Sequence, residues 1–236
     1  MTQKWLKVWK QKSNLPFSNK YKVLLEMNGW DTGVSSFSIN DWKKFINSII
    51  RKFKINNKNN IFEIGCGSGA FLLPFYKKNI NCFGTDYSTK FINNCRKLMK
   101  KGVFIKSEAN NLKKFRKYNF DFIFIHSVFQ YFDNITYARQ VMNQLKNISK
   151  KHTFIFILDI PNLKKKNIWK KDIIRLIGED EFKKKYSKLK HQFYSISFFE
   201  KFCKQNDFIM YKFSNLKLKK QSSKYRFNIM IKAKNR

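Results

Sequence analysis

Short apolar runs alternate with helical stretches from residue 61 to residue 159. The apolar runs cover 61–64, 81–85, 103–106, 120–126 and 153–159, and the helical stretches cover 70–78, 90–100 and 137–148. The run at 120–126, FDFIFIH, is apolar almost throughout, as expected for a strand buried on both faces. Strands that alternate with helices of about ten residues predict right-handed βαβ units and a doubly wound parallel sheet.

The segment before this alternation predicts two helices joined by a loop. The apolar residues between Trp5 and Trp9 have the spacing of a short amphipathic helix, and we expect a loop from there to residue 36. A longer amphipathic helix is predicted from Ile39 onward, with Ser38 or Asn40 as its N-cap.

The pattern changes after Pro161. Residues 162–195 are rich in lysine and predict a basic helical insertion. A further helix is predicted over 197–205, capped by Ser195 or Ser197. The alternating segments 208–213 and 227–231 are expected to close the sheet as a hairpin-like pair.

The charge balance is strongly basic, with 50 Lys and Arg against 15 Asp and Glu and a formal net charge of +35. Only 7 of the 50 are Arg, whereas a surface dedicated to nucleic acid is more often rich in Arg, which reads phosphates and guanine edges. Lys, Asn, Ile and Phe share A/T-rich codons, so base composition explains much of the excess. The balance therefore argues against a nucleic-acid partner and makes the few acids worth examining singly.

Other features of the composition bear on where the protein acts. No apolar run approaches the roughly 18 residues of a membrane span, and the opening MTQKWLKVWKQKS has no apolar core of a secretory signal. The cysteines stand singly, without metal-ligand spacing, at Cys66, Cys82, Cys95 and Cys203. We expect reduced thiols, a cytoplasmic location and no metal site.

The first strand of the alternation ends in a glycine-rich turn, IFEIGCGSGAF. Gly65, Gly67 and Gly69 stand at alternate positions, which permits a tight turn and a close approach of a ligand to the backbone. The spacing differs from the G-x-G-x-x-G of dinucleotide-binding proteins, and Glu63 precedes the first glycine by two residues. Such a loop alone can equally be an ordinary strand-to-helix turn.

Two more acids follow at the ends of the next two strands. Asp86 lies seventeen residues beyond Gly69, where an acid can accept hydrogen bonds from both hydroxyls of a ribose. Glu108 follows the third strand. Taken singly, Asp86 can be an acid at a helix N-terminus, near the possible cap Ser88, and Glu108 a solvated loop residue. Taken in order, Glu63, Asp86 and Glu108 mark three successive strand ends.

These motifs resemble those of the class I S-adenosylmethionine-dependent methyltransferases, over residues 40–160. The resemblance implies S-adenosylmethionine as the cofactor, with Glu63 orienting the loop or the amino group, Asp86 on the ribose and Glu108 with Ala109 near the adenine. Glu108 departs from the family, which often has Asp there. The implied cofactor-binding residues are Glu63, Gly65, Cys66, Gly67, Gly69, Asp86, Tyr87, Ser88, Glu108, Ala109, His126 and Ser127.

The implied fold is α/β, a doubly wound Rossmann-like sheet of seven mostly parallel strands with an antiparallel C-terminal strand, an N-terminal helical lid and a helical insertion. The implied organisation is a single methyltransferase domain over 1–236. It divides into a lid segment (1–38), a cofactor-binding core (39–161), the basic insertion (162–195), and a C-terminal helix with closing strands (196–236).

Methyl transfer requires that a nucleophile be positioned and water excluded, with a general base only if the acceptor loses a proton. His126 ends an apolar strand and has an ordinary pKa suited to neutral pH, so it is the first candidate; a packed structural histidine is the alternative. His191 is the second candidate, or a surface-loop residue. Tyr131 can donate to an acceptor oxygen or belong to the core.

The acceptor is expected to be an anionic small molecule methylated on oxygen, with Trp30 and Arg226 in its binding site. A weaker resemblance, carried by HSVFQYF, LDIPNL and YRFNIMI, is to methyltransferases of bacterial surface-polysaccharide gene clusters. Two alternatives stay open: an RNA methyltransferase using the basic residues after 161, and a catalytically silent scaffold. The absence of N-P-P-Y or D-P-P-Y after the fourth strand argues against nucleic-acid and glutamine N-methyltransferases. The sequence does not reveal the oligomeric state.

Overall fold

The computed structural model describes residues 3–30, 37–187, 189–213, 218 and 220–234. The helices are α1 Gln3–Ser13, α2 Tyr21–Met27, α3 Ile39–Lys52, α4 Leu73–Tyr76, α5 Thr89–Leu98, α6 Ile135–Ile148, α7 Lys166–Ile177, α8 Glu179–Tyr186 and α9 Ile196–Gln205. The strands are β1 Asn60–Ile64, β2 Asn81–Asp86, β3 Val103–Lys106, β4 Phe122–His126, β5 Phe154–Pro161, β6 Phe208–Lys212 and β7 Arg226–Ala233.

The seven strands form one sheet in the order β3-β2-β1-β4-β5-β7-β6. β1 to β5 pair in parallel, and β7 is antiparallel to both of its neighbours, β5 and β6. The predicted fold class is therefore confirmed, including the antiparallel strand near the C-terminus. Strand order reverses between β1 and β4, so their carboxyl ends flank the crevice where an open α/β sheet binds its ligands.

The alternation of side chains along β4 explains how the sheet is covered. Phe122 and Phe124 face an apolar layer that contains α3 and α4, whereas Ile123 and Ile125 face the layer that contains α6 and α9. Because side chains alternate along a strand, His126 shares the face of Phe122 and Phe124. This places its imidazole against α3.

Several predicted boundaries need correction. Residues 21–27, expected to be loop, form α2, while residues 31–36 of that predicted loop lie outside the described residues. The helix predicted over 70–78 is shortened to α4, because residues 70–72 form turns after Gly69, whose φ is +83°. Ser38 and Ser195 are the N-caps of α3 and α9: each side-chain oxygen accepts a hydrogen bond from the backbone N–H three residues later.

None of the helices in the described part of the chain is long and apolar enough to cross a membrane.

Candidate active site

The glycine loop turns sharply at the end of β1. The backbone N–H groups of Gly65 and Cys66 both donate to the carbonyl of Thr85, at 2.8 and 2.9 Å, which ties the loop to β2. Gly65 and Gly67 have φ of +75° and +50°. A Cβ on Gly65 would lie 2.5 Å from Val128 Cγ2, so that position requires glycine for space as well as for conformation.

A cavity with about 760 Å³ of empty space, part of it open to solvent, lies above this loop at the carboxyl ends of β1, β2 and β4. Most of the residues predicted from the sequence line it, namely Trp30, Glu63, Gly65, Gly67, Asp86, Tyr87, Glu108, Ala109, His126, Ser127 and Tyr131. It is also lined by residues that the sequence did not single out: Trp9, Asn28, Thr85, Phe91, Ser107, Val128, Phe132 and Tyr137.

Three predicted cofactor residues support the cavity from behind instead of lining it. The Cys66 side chain is buried in the core, and a Cβ on Gly69 would meet Met99 Cε at 2.8 Å, so this glycine lets the loop pack against the end of α5. Ser88 is the N-cap of α5, its hydroxyl accepting from the N–H of Phe91.

The acids on the cavity floor are held in different ways. Asp86 accepts hydrogen bonds from the N–H groups of Gly67 and Ser88, at 3.1 and 2.9 Å, and burial nevertheless raises its pKa to about 6. Glu63 Oε2 is buried without a hydrogen-bond partner among the described residues. Burial, with Cys95 and Asp86 nearby, raises the pKa of Glu63 well above its ordinary value.

Two residues that the sequence did not predict complete this part of the site. Asn28 Oδ1 accepts a hydrogen bond from the N–H of Ser68 at 2.8 Å, so the loop after α2 braces the glycine turn. The Tyr137 hydroxyl donates to Glu108 Oε2 at 3.0 Å, which orients that exposed carboxylate at the mouth of the cavity.

His126 lies at the centre of an aromatic cluster. Its imidazole centroid is 5.1 to 5.7 Å from the ring centroids of Trp30, Trp42, Phe45 and Phe71. Its Nδ1 is enclosed and has no hydrogen-bond partner among the described residues. Burial lowers the pKa of His126 to about 3, so the ring is neutral at pH 7. The expectation of a pKa suited to neutral pH was therefore wrong, because it took no account of this apolar enclosure.

A second aromatic cluster roofs the cavity. Tyr131 packs edge-on against Trp5 and Trp9 at 4.7 and 5.0 Å, and burial raises the pKa of its hydroxyl. His191 stacks on Trp5 at 5.2 Å and touches Tyr131, but does not itself line the cavity. Burial lowers the pKa of His191 to about 3. His191 therefore packs behind Trp5 and Tyr131 and supports this aromatic cluster.

Arg226 is placed at the edge of the site, where β7 begins. Its Nη1 donates to Gln130 Oε1 at 3.0 Å and to the carbonyl of Asp159 at 3.2 Å. It lines a smaller cavity that shares His126 with the first one.

Comparison with known proteins agrees with this geometry. Residues 62–157 match the family model of a methyltransferase domain. The matched segment includes the glycine loop, Asp86, Glu108 and His126, so it contains most of the residues that line the glycine-loop side of the cavity. No curated protein matches the sequence.

Solved structures extend the likeness to nearly the whole chain. A protein from Pyrococcus horikoshii (15% identity, TM-score 0.59) aligns over 93% of this chain and 100% of its own. An S-adenosylmethionine-dependent methyltransferase from Clostridium acetobutylicum (13%, 0.59) aligns over 91% and 97%. The magnesium protoporphyrin IX methyltransferase of Synechocystis, with bound S-adenosylmethionine (10%, 0.59), aligns over 99% of each chain. The fold is the Rossmann-like fold of these methyltransferase structures.

Proposed function

We propose that this protein is an S-adenosylmethionine-dependent methyltransferase that transfers a methyl group to an oxygen of an anionic small molecule. The observation that carries the proposal is the arrangement of acids in the cavity. Two buried acids lie on its floor: Asp86, and Glu63, whose Oε2 has no hydrogen-bond partner in the part of the chain that the structure describes. His126 forms its wall at the end of β4.

The residues present fit this cofactor. Asp86 has acceptor capacity left on both oxygens after its two backbone hydrogen bonds, enough for two ribose hydroxyls. Glu63 offers a carboxyl that an ammonium group would ionise and pair. Gly65 and Gly67 let Val128 and Asn28, which also line the cavity, pack directly against the loop, because a Cβ at either position would lie within 2.5 Å of those side chains. When bound, S-adenosylmethionine supplies an electrophilic methyl group on a sulfonium.

The chain's own residues orient the acceptor and exclude water. Trp30 and Tyr131 enclose the cavity beside His126 and remove solvent from it. Because burial keeps His126 neutral, one of its ring nitrogens can accept a hydrogen bond from an acceptor hydroxyl and orient it, and we assign this contact to Nε2 because Nδ1 is closed off. The same burial disfavours the imidazolium, so His126 orients the hydroxyl without retaining its proton. Tyr131 stays protonated and serves as a hydrogen-bond donor, while His191 acts as a positioning residue behind it.

The affinity for the demethylated product, S-adenosylhomocysteine, tests the cofactor site. Calorimetry should give micromolar binding to the wild type and none to Asp86→Ala. The matched control is Asp180→Ala, which removes the same group from an exposed position on α8. If the wild type gives no heat of binding with either S-adenosylmethionine or S-adenosylhomocysteine, the proposal is refuted.

The acceptor class is tested separately. RNA binding that persists with a steep salt dependence at physiological ionic strength would favour the RNA methyltransferase alternative. Failure to turn over any acceptor, with cofactor binding intact, would favour the silent scaffold. The surface-polysaccharide precursor stays a prediction of the sequence resemblance alone.

A further inference from the structure

A second, smaller cavity adjoins the first at His126; it has about 300 Å³ of empty space, part of it open to solvent. Its polar lining comes from β5, from the short helix Gln221–Tyr225 with the residue before it, and from β7: Asp159, Lys220, Ser223, Arg226 and Asn228. His126 lines both cavities, so a molecule that occupied the second one would reach the wall of the first.

The cavity holds a buried ion pair. Lys220 Nζ lies 2.8 Å from Asp159 Oδ2, and the two side chains are 3% and 9% exposed. The Ser127 hydroxyl donates to the same carboxylate oxygen. Burial would raise the pKa of Asp159, but Lys220 and Arg226 outweigh it and hold that pKa well below its usual range. The positive charge of Lys220 is thus balanced by Asp159.

Arg226 adds a second positive charge without a second acid. Its hydrogen bonds within the described residues go to a side-chain amide oxygen of Gln130 and a backbone carbonyl, both of them neutral. No ion pair within 4 Å joins Arg226 to an acid among these residues, and Asp159 is the sole acid in the cavity lining that the structure describes. Two cations and one anion leave a net charge of +1 in a confined space.

The backbone is held in an uncommon conformation at this place. Ser127 and Asp159 end or interrupt adjacent strands with φ of +57° and +63°, in the left-handed region that residues other than glycine seldom adopt. The N–H of Asp159 donates to Asn228 Oδ1 at 2.7 Å. The fold therefore fixes the ion pair and Arg226 in one arrangement before any ligand arrives.

We propose that the second cavity binds a carboxylate group of the methyl acceptor, with Arg226 as its ligand and the Lys220–Asp159 pair as its rigid support. The inference rests on the proposed function. A carboxylate matches the single unbalanced charge and the planar fork of Arg. A phosphate dianion would leave excess negative charge beside Asp159. The acceptor is then a hydroxy acid, whose hydroxyl extends past His126 into the cofactor cavity.

Binding of glycolate tests this site in the whole protein, measured with and without S-adenosylhomocysteine. The protein is titrated separately with glycolate, inorganic phosphate and neutral glycolamide at matched ionic strength. Each titration is monitored by NMR through the Arg Nε–H and His ring signals. One arginine signal, missing in Arg226→Lys, should shift and saturate with glycolate. Phosphate should bind at least tenfold more weakly, and glycolamide should cause no saturable shift.

The affinity of the variants decides the role of Arg226. The NMR signals of the His126 ring report the affinity for glycolate in each variant. Arg226→Lys and Arg226→Gln should bind glycolate at least tenfold more weakly than the wild type does. Arg139→Gln, the same change at an exposed position on α6, should leave the affinity unaltered. Equal affinity in the Arg226 variants, equal or tighter binding of phosphate, or no saturation in the wild type would overturn the inference.

The product-binding measurement separates the two proposals. If S-adenosylhomocysteine binds and glycolate does not, the carboxylate site fails and the proposed function stands. If glycolate binds at Arg226 and S-adenosylhomocysteine does not bind, the proposed function fails. The assignment of this carboxylate to a methyl acceptor then fails with it.

Discussion

Replacing Asp86 by Asn is expected to stabilise the protein while it weakens cofactor binding. The two side chains have nearly the same shape, but only the carboxylate must be ionised inside a buried site. Because burial raises the pKa of Asp86 from 3.8 to about 6, the empty protein carries at pH 7 a cost of about 3 kcal/mol for that charge. Asn carries no such cost.

Part of this gain is lost through the hydrogen bonds. Asn can keep one acceptor toward Ser88 N–H, but its amide would face the N–H of Gly67, donor against donor. Leaving that N–H unpaired costs about 1–3 kcal/mol, so we expect a net gain in unfolding free energy of about 1 kcal/mol. The affinity for S-adenosylhomocysteine should fall by about 3 kcal/mol, or roughly a hundredfold, as charge-assisted hydrogen bonds to the ribose disappear.

Urea unfolding at pH 7 and pH 5, with calorimetry of product binding, measures both effects. An acid whose folded pKa is raised favours the folded state at low pH and loses that advantage as the pH rises through about 6. The advantage of Asp86→Asn should therefore shrink by roughly 1 kcal/mol from pH 7 to pH 5. Asp180→Asn is the exposed control. A variant less stable than the wild type by more than 1 kcal/mol at pH 7, or one with unchanged affinity, would refute the reasoning.

Three further predictions concern the loop, the ion pair and the buried histidine. Gly65→Ala should lower the unfolding free energy by about 2 kcal/mol more than Gly178→Ala, because Gly178 has a similar φ but open space around it. Equal losses of the two variants in thermal or urea unfolding would contradict the predicted clash with Val128. Lys220→Met should lower the unfolding free energy by about 3–5 kcal/mol because it leaves the buried Asp159 carboxylate without its partner. Adding Asp159→Asn to Lys220→Met should restore part of that loss. If the losses of the two single variants simply add in urea unfolding, the two residues are not coupled. The ring NMR signals of His126 should stay unchanged from pH 8 to pH 5, and titration within that range would disprove its enclosure.

The cofactor side of the site was readable because its signals are local in sequence. The apolar runs predict β1, β2 and β4. The glycine loop comes directly after β1 and Asp86 is the last residue of β2, so both are located once the strands are. α2 was missed because it has only seven residues: Tyr21, Leu24 and Leu25 have the i, i+3, i+4 spacing of a helix, but about two turns are too short to establish a period.

Contacts between residues that are distant in the sequence were not readable in the same way. Asn28 acts on Ser68, forty residues away, and an isolated asparagine carries no motif. Lys220 is one of 43 lysines, so its burial against Asp159 could not be distinguished from the basic background. The low pKa of His126 depends on Trp30, Trp42 and Phe71 meeting around it, which is a property of tertiary packing.

The two sides of the cavity also differ in the length of chain that their contacts enclose. Asp86 reaches Gly67 across 19 residues, whereas Trp5 reaches the carbonyl of Lys190 across 185. Closing a longer loop costs more conformational entropy, and proteins open locally in units of unequal stability. We therefore expect the Trp5 contact to open before the Asp86 contact. If the proposed function holds, a sample that has begun to denature will still bind cofactor after it has lost the roof of the cavity, so a cofactor-binding assay by itself will not show that the acceptor site is intact.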